Sequence, residues 1–468
     1  MGIPQWEQNL KHSLMELLVT PEVTDEVSKS DKYDKSSLSS IYEFALRLTG
    51  KTLAEMVSLP EGVTNKRNRG DLGTLVERYY FEHKPPTNLG PDFPDADLEL
   101  KTTGLVRNKY GKYKAKERLV LTMINYEVIA KEKWEKSYFL KKCKLMLILF
   151  YLYRKELAVY DRKFVLKPLI YRMSDEDALV IKRDWETIRQ KVLDGKAHEL
   201  SEGDTFYLGA CRKGSGGESE TLQKQPFSKE LAKSRAFSFK QGYVNRLIDG
   251  HIDGVATLGI TKSITFEEAT ALRFEPFIGK TVEEISSAIS IHKKSSNQKA
   301  FHRLLANRIL AAGSQAVIEV EKAGIEIKTI RLKSNGQPRE SMSFPGFRTI
   351  EIIDQNWDES SFAEKLERKF LLVIFQTRTD GVEVLHKVAY WNMPYQDRME
   401  AKRVWEETKK RAAIDAKNLP RATESHVAHV RPKARDGEDK ELTPQGEMVV
   451  KKCFWLNSSY IAQVIESL

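Results

Sequence analysis

Cysteine is scarce in this 468-residue chain, and long apolar runs are missing from it. The three cysteines, Cys143, Cys211 and Cys453, lie far apart. Their spacing argues against a disulfide framework and a cysteine-based zinc site, and it suits a reducing cytoplasm. The longest apolar run covers only residues 145–153, too short for the roughly 20 residues of a membrane span, and it predicts a buried central strand. The start has no basic-then-apolar signal sequence, so we expect a soluble, cytoplasmic protein.

Neither sign of charge dominates, but basic residues are in surplus. The 76 Lys and Arg residues against 66 Asp and Glu residues give a net charge of +10. This surplus favours a polyanionic partner such as nucleic acid, although an ordinary basic enzyme would have the same composition. The hydrophobic fraction of 41% is sufficient for folded cores, and the length allows about two to four domains.

Several segments of the first half recur in the same order in the second half. The segment at residues 44–56 is echoed at residues 274–285, and residues 96–103 are echoed at residues 323–330. A strand rich in leucine, isoleucine and phenylalanine follows the second of these segments in both halves. Recurrence in register predicts a duplicated domain.

The duplication predicts two tandem domains at residues 1–250 and 272–468, with a linker at residues 251–271. Each half mixes amphipathic helical segments with short apolar strands, which predicts an α/β (α+β) fold with a small mixed sheet flanked by helices. The candidate helices of the first half are Trp6–Leu18, Ser39–Leu48, Gly70–Tyr80 and Asp175–Leu193, and the candidate strands are 97–101, 118–124, 145–152 and 164–172.

The segment at residues 91–101 gives the strongest indication of chemistry. Its prolines and the glycine before it indicate an irregular loop, and the residues after the loop alternate between polar and apolar as in a strand. In such a strand Asp97, Glu99 and Lys101 share one face. If that face is buried, these charges beside Asp92 would be costly without a ligand.

A divalent cation would relieve that cost. Mg²⁺ prefers hard oxygen ligands and keeps several waters, so Asp92 and Glu99 suffice as its protein ligands. Lys101 would orient or deprotonate the attacking water, whose pKa the metal ion lowers. An Asp followed by Glu-x-Lys is the signature of the PD-(D/E)xK nucleases. The motif therefore predicts metal-dependent hydrolysis of phosphodiester bonds.

The surroundings of this motif resemble the MutH family of GATC-directed endonucleases. The resemblance rests on residues 70–80, on the spacing from Asp92 to Glu99, and on further segments that cover nearly all of the first half. It implies double-stranded DNA as the partner and Mg²⁺ as the cofactor, and we expect no small-molecule cofactor.

The same resemblance implies roles for further residues. Glu77 would be an accessory carboxylate on a helix, and either Lys142 or Lys144 would be an active-site lysine just before the apolar strand. Lys213, with Arg212 beside it, would read DNA from a loop in which glycines allow a close approach.

The second half keeps the Glu-x-Lys pair as Glu326 and Lys328, but it changes the other positions. The counterparts of the loop aspartate and of the helix glutamate are Glu319 and Ala306. Loss of a carboxylate weakens a metal site whose affinity depends on the number of ligands.

The basic positions of the second half are retained, because Lys433 stands where the first half has its DNA-reading lysine, with Arg431 nearby. Both suit contacts to phosphates and bases. In the two-domain restriction endonucleases that the chain resembles, such a copy binds a second recognition site and stimulates the first domain. We therefore expect a DNA-binding effector domain without cleavage activity, and the alternative is that both halves cut.

The resemblance thus implies a type II restriction endonuclease that makes double-strand breaks at GATC. Two other functions stay open, namely a MutH-type nicking endonuclease of mismatch repair and a non-catalytic DNA-binding protein. We expect a monomer in solution, with dimerisation or looping on DNA left open.

Overall fold

The computed structural model describes residues 33–60, 71–83, 90–212, 222–250, 258–291, 298–311, 317–433 and 436–468. The predicted helix Trp6–Leu18 and the predicted DNA-reading residue Lys213 lie outside these ranges. Within them, no helix has the length and apolar character needed to cross a membrane.

The first half alternates short helices and strands. Its helices are α1 (Leu38–Leu46), α2 (Leu53–Met56), α3 (Asp71–Leu75), α4 (Tyr126–Ile129), α5 (Tyr138–Cys143), α6 (Asp175–Leu193) and α7 (Gln241–Asp249). Its strands are β1 (Glu99–Arg107), β2 (Tyr113–Ala115), β3 (Leu119–Met123), β4 (Leu145–Leu152), β5 (Leu169–Arg172), β6 (Leu208–Arg212), β7 (Leu222–Gln225), β8 (Ser228–Lys233) and β9 (Arg235–Phe239).

A mixed sheet in the order β2-β1-β4-β5 positions the chemistry-bearing residues. Strand β4 lies inside this sheet, and its apolar run is buried from Leu145 to Phe150, as expected for a strand covered on both faces. Strand β1 pairs with β4 in parallel and places Glu99 opposite Met146, whereas β5 pairs with β4 in antiparallel orientation. A second sheet has the order β3-β9-β6.

The second half repeats this arrangement. Its helices are α8 (Phe266–Phe274), α9 (Val282–Ala288), α10 (Gln298–Leu310), α11 (Ile318–Ala323), α12 (Thr349–Ile352), α13 (Ser361–Leu366), α14 (Tyr395–Ile414) and α15 (Ser458–Ser467). Its strands are β10 (Glu326–Leu332), β11 (Met342–Phe347), β12 (Phe370–Thr377), β13 (Glu383–Trp391), β14 (Ala428–Pro432), β15 (Lys440–Leu442), β16 (Met448–Val450) and β17 (Lys452–Leu456).

Apart from the edge strand β2, the main sheets of the two halves have the same strand order. The order β10-β12-β13 matches β1-β4-β5, and β11-β17-β14 matches β3-β9-β6. Strand β10 pairs with β12 in parallel and places Glu326 opposite Phe370, as Glu99 stands opposite Met146. The prediction of two tandem α/β domains, each with a small mixed sheet flanked by helices, is therefore confirmed.

The two halves share an apolar core. One continuous cluster of buried side chains contains residues of β4 and β9 together with residues of α8, α10 and β12. Phe206 stacks on Phe266 with ring centroids 4.1 Å apart. At Gly242 a Cβ atom would clash with the Glu321 carbonyl, so glycine lets α7 approach α11 closely. Helix α8 begins at Phe266, so the last part of the predicted linker 251–271 is helical.

Most of the helices and strands predicted for the first half are present in the structure, with small shifts at their ends. Helix α6 has the predicted bounds, because Ser174 caps its start and accepts a hydrogen bond from the Asp177 amide. The candidate helix 70–80 changes at Val76 into a π-helical turn. The candidate strand 164–172 is a strand only from Leu169.

The candidate strand 97–101 begins two residues later than predicted, at Glu99. Asp97 has a positive φ of 52°, a left-handed conformation that Asp tolerates better than most residues. It ends the 3-10 turn Pro94–Ala96. The expectation that Asp97 shares a strand face with Glu99 and Lys101 is therefore wrong.

Candidate active site

A tight loop brings Asp92 back to the start of β1. Phe93 and Leu98 form an antiparallel bridge across the 3-10 turn. The Leu100 amide donates a hydrogen bond of 2.9 Å to Asp92 Oδ2, and the Asp92 amide donates one of 3.2 Å to Glu99 Oε2. Both acidic residues are buried. The loop thus holds two carboxylates together at the edge of the sheet.

Two lysines contact the same oxygen of Glu99. Lys101 forms a short ion pair with Glu99 Oε1, and Lys142 Nζ lies 3.2 Å from that atom. Lys142 is in the last turn of α5, which leads into β4. Lys144 instead forms an exposed ion pair of 2.5 Å with Asp97. The structure therefore brings Lys142, and not Lys144, into the cluster.

Glu77 lies in the π-helical turn Val76–Tyr80. Burial, and then the negative charge of Asp92, raises the pKa of Glu77 to about 7. Burial also raises the pKa of Glu99, although the ammonium group of Lys101 works against this rise. A π-helical turn inside a helix is frequently found at functional sites.

The cluster therefore combines three carboxylates, of Glu77, Asp92 and Glu99, with the ammonium groups of Lys101 and Lys142. The pKa values of Glu77 and Glu99 are raised first by burial, and the negative charge of Asp92 adds to both rises. Among the described residues, no group of three or more His, Cys, Asp or Glu side chains has a metal-binding arrangement. The oxygen donors fit a Mg²⁺ ion that takes two protein carboxylates and keeps waters as its other ligands.

Arg212 lies at the end of β6, and its guanidinium group faces the second half. It forms ion pairs with Asp358 and, at 2.9 Å, with Glu367. This placement differs from the DNA-facing role that the sequence suggested for Arg212. The contact could not be recognised from the sequence, because its partners lie in the other domain.

The second half builds a related cluster around Glu326. Lys328 Nζ lies 2.9 Å from Glu326 Oε1, and Lys365 Nζ lies 3.2 Å from Glu326 Oε2. Lys365 is in α13, which leads into β12 as α5 leads into β4. It therefore takes the place of Lys142, and sequence analysis missed it. The available signal was a lysine shortly before the second apolar strand.

Glu319 does not take the place of the loop aspartate. Its Oε1 atom accepts a hydrogen bond of 3.0 Å from the Leu258 amide. Burial raises the pKa of Glu319, and the charged groups that influence it are Lys322 and Asp177 rather than the Glu326 cluster. The prediction that Glu319 takes the place of Asp92 in the second domain is therefore wrong. Ala306 is buried in α10 and cannot contribute a carboxylate.

The basic residues at the end of β14 surround an aromatic ring. The guanidinium group of Arg431 lies 3.9 Å from the ring centroid of Trp455. Lys433 donates a hydrogen bond of 2.9 Å to the Phe344 carbonyl. Both side chains belong to exposed residues, so they are accessible to a DNA backbone.

Comparison with known proteins matches both halves of the chain. The family model described as DNA mismatch repair enzyme MutH matches residues 81–184 and 309–403. The type II restriction enzyme Sau3AI of Staphylococcus aureus is 30% identical over 490 aligned positions, which cover 92% of this chain and 98% of the relative.

Two DNA mismatch repair proteins MutH are more distant relatives. The protein of Buchnera aphidicola is 26% identical, and the match covers 34% of this chain and 73% of the relative. That of Shewanella woodyi is 23% identical, with 46% of this chain and 93% of the relative covered. The restriction enzyme therefore matches nearly the full length of the chain, whereas these repair proteins match less than half of it.

Proposed function

The chain belongs to the family of the type II restriction enzyme Sau3AI, and on that premise we propose that it cuts both strands of DNA at GATC sites with Mg²⁺. As a type II restriction endonuclease it acts on DNA. The observation that carries the proposal is the joining of Asp92, Glu99, Lys101 and Lys142 at one sheet edge.

Asp92 and Glu99 would hold the Mg²⁺ ion, and Glu77 would add negative charge close to it. When bound, the metal ion lowers the pKa of a water nucleophile and stabilises charge on the phosphoryl oxygens. The buried Leu100 amide orients Asp92 for this task. The loop and the strand already place the two carboxylates, so ion binding requires mainly that Lys101 and Lys142 release the Oε1 atom of Glu99.

Lys101 and Lys142 would act on the substrate side of this cluster. Both ammonium groups now contact one oxygen of Glu99. With Glu99 as a metal ligand, Lys101 would orient the attacking water and Lys142 would donate to a non-bridging phosphate oxygen. Ammonium groups held in a buried site stabilise developing negative charge more strongly than they would in water.

We further propose that the second domain binds a second GATC site and stimulates the first domain without cutting. The support is the composition of its cluster, where Glu326 is the carboxylate in contact with Lys328 and Lys365. Lys213, Lys433 and Arg431 are the proposed DNA contacts. The chain would be a cytoplasmic monomer that is able to loop DNA between two sites.

Digestion of plasmids by the full-length protein tests this function. Linear product with fragment ends at GATC in Mg²⁺, and none in excess EDTA, supports the proposal, whereas nicked circles alone would favour the repair-type enzyme. A plasmid with two GATC sites should be cut faster than a plasmid with one. Equal rates would contradict the effector role.

The alternative that both halves cut is tested by a Glu326→Ala, Lys328→Ala double variant. If the second domain is an effector, the variant produces the same double-strand product more slowly. If each half cuts one strand, the variant accumulates nicked circles instead.

A further inference from the structure

A cavity of about 540 Å³ lies along β10 in the second domain. Glu326, Lys328, Phe344 and Lys433 are among its lining residues, and Glu340 is a second acidic residue in the lining. It occupies the position that the active-site cluster has in the first domain. The cavity is separate from the residues that we assign to cleavage.

The Glu326 carboxylate of this cavity contacts two lysines. Each oxygen of Glu326 has its own ammonium partner, Lys328 on Oε1 and Lys365 on Oε2. Among the lining residues, the basic side chains of Arg303, Lys328, Arg331 and Lys433 outnumber the acidic side chains of Glu326 and Glu340, so the cavity has a surplus of positive charge. A metal cation would have to displace both ammonium groups to reach the carboxylate.

Lys433 adds a third ammonium group to the same place. It donates to the neutral carbonyl of Phe344, 2.9 Å away. Its positive charge helps to lower the pKa of Lys328, after the larger effect of burial. Lys328 Nζ also lies 5.4 Å from the centroid of the Phe344 ring. The two lysines thus face one shared space.

The first domain has the opposite balance of charge. There, the cluster has three carboxylates and two lysines, because Asp92 on the loop and Glu77 on the π-helical turn add to Glu99. In the second domain Glu319 turns to the Leu258 amide and Ala306 has no charge. The same strand position is therefore suited to a cation in one half and to an anion in the other.

We propose that the cavity around Lys328 and Lys433 binds a DNA backbone phosphate directly, without a divalent metal ion. Lysine ammonium groups are common partners of phosphate oxygens, and such contacts fix the register of a protein on DNA. Lys365 keeps Glu326 neutralised, so that the carboxylate does not repel the phosphate. This inference rests on the proposed DNA binding of the second domain, and it identifies where that domain holds the backbone.

The test measures DNA binding by the full-length protein in EDTA, with Lys101→Ala present in all samples to prevent cleavage. A GATC duplex and a duplex of scrambled sequence are titrated at several salt concentrations. Lys328→Met and Lys433→Met should each weaken binding several-fold on both duplexes, because a phosphate contact carries no sequence information. Each should also reduce the slope of log K against log salt by about 0.9.

Glu326→Gln separates a phosphate site from a degraded metal site. Removal of the carboxylate leaves the ammonium groups more positive, so binding in EDTA should stay equal or become tighter. A metal site would instead give binding by the second domain that depends on Mg²⁺ and is lost in Glu326→Gln. Lys402→Met is the matched control, since Lys402 lies on α14 in an ion pair with Glu406, and it should leave the salt slope unchanged.

The outcomes distinguish this inference from the function on which it rests. If the protein cuts at GATC and binds the duplex, but Lys328→Met and Lys433→Met keep the parental salt slope, the phosphate site is wrong and the function stands. If the parental protein neither cuts nor binds GATC DNA, both are wrong. Melting temperatures of the variants identify a loss of binding that is caused by unfolding.

Discussion

Glu326 stands at the strand position of Glu99, yet the pKa values of the two carboxyl groups shift in opposite directions. Burial raises the pKa of Glu99, and the negative charge of Asp92 adds to the rise. Burial also acts on Glu326, but Lys328 and Lys365 outweigh it and lower the pKa of that group. Duplicated positions in the two halves therefore have different electrostatic environments.

Lys142 and Lys144 should differ sharply in their importance for cleavage. Lys142→Ala removes an ammonium group that lies 3.2 Å from Glu99, so we expect the cleavage rate to fall roughly 100-fold or more. Lys144→Ala removes an exposed ion pair with Asp97 and should leave the rate within about twofold. Single-turnover cleavage of a GATC duplex measures both, and equal losses would contradict the assignment of Lys142.

Glu77 should make the requirement for Mg²⁺ depend on pH. Its pKa is raised to about 7, first by burial, so the group is protonated below that pH and ionised above it. An ionised carboxylate attracts the metal ion. The Mg²⁺ concentration needed for half-maximal cleavage should therefore decrease as the pH rises from 6 to 8. Glu77→Gln should flatten this dependence, whereas an equally steep profile in the variant would exclude Glu77 as its source.

Glu383 should stabilise the second domain at neutral pH, and this contribution to the free energy of unfolding should be lost at acidic pH. Burial raises its pKa, but hydrogen bonds from His302 and Arg331 lower it to about 2, below the ordinary value of 4.5. The stabilisation is therefore complete above about pH 4.5, and it is lost as the pH falls toward 2. At pH 7 we expect Glu383→Gln to lower the free energy of unfolding by roughly 2 kcal/mol.

Unfolding experiments on the Glu383→Gln variant at pH 7 and pH 3 test this dependence, and the difference from the parent should shrink at pH 3. Glu351→Gln is a suitable control, because Glu351 forms an exposed ion pair with Arg348 and should change stability by about 0.5 kcal/mol or less. A constant difference at both pH values would contradict the account.

Arg212 should couple the two domains. Arg212→Ala removes the ion pairs with Asp358 and Glu367 across the domain boundary and leaves Lys233, 3.5 Å from Asp358, as the remaining partner of that carboxylate, so we expect a lower melting temperature. We also expect the advantage of a two-site plasmid over a one-site plasmid to decrease. Arg378→Ala removes an exposed pair with Asp380 and should affect neither quantity. An unchanged two-site advantage in Arg212→Ala would exclude this contact as the coupling element.

The sequence predicted those features whose cause is local. Most of the apolar run at residues 145–153 forms β4, which is buried from Leu145 to Phe150 because its side chains there are apolar, and α6 begins where Ser174 caps it. The segment around Asp92 and Glu99 carries its own loop and strand signals. The internal repeat predicted that both halves would share one topology.

The features that the sequence did not predict depend on tertiary structure. Asp97 continues the alternating pattern, but its left-handed backbone removes it from the strand. The chain reaches β10 through α11 rather than through a loop with a 3-10 turn, so counting residues placed Glu319 wrongly. Lys365 was missed because it lies five residues before its apolar strand, whereas Lys142 lies three residues before Leu145.

The central claim is that cleavage takes place at one centre, in the first domain. Its most direct test incubates the full-length Lys101→Ala variant with a supercoiled plasmid that carries GATC sites, in Mg²⁺, and resolves nicked and linear products. The account predicts that the plasmid stays supercoiled, with a loss of rate on the order of 1000-fold or more. Nicked circles that accumulate at the parental rate would contradict it, because they would show that a second centre cuts DNA.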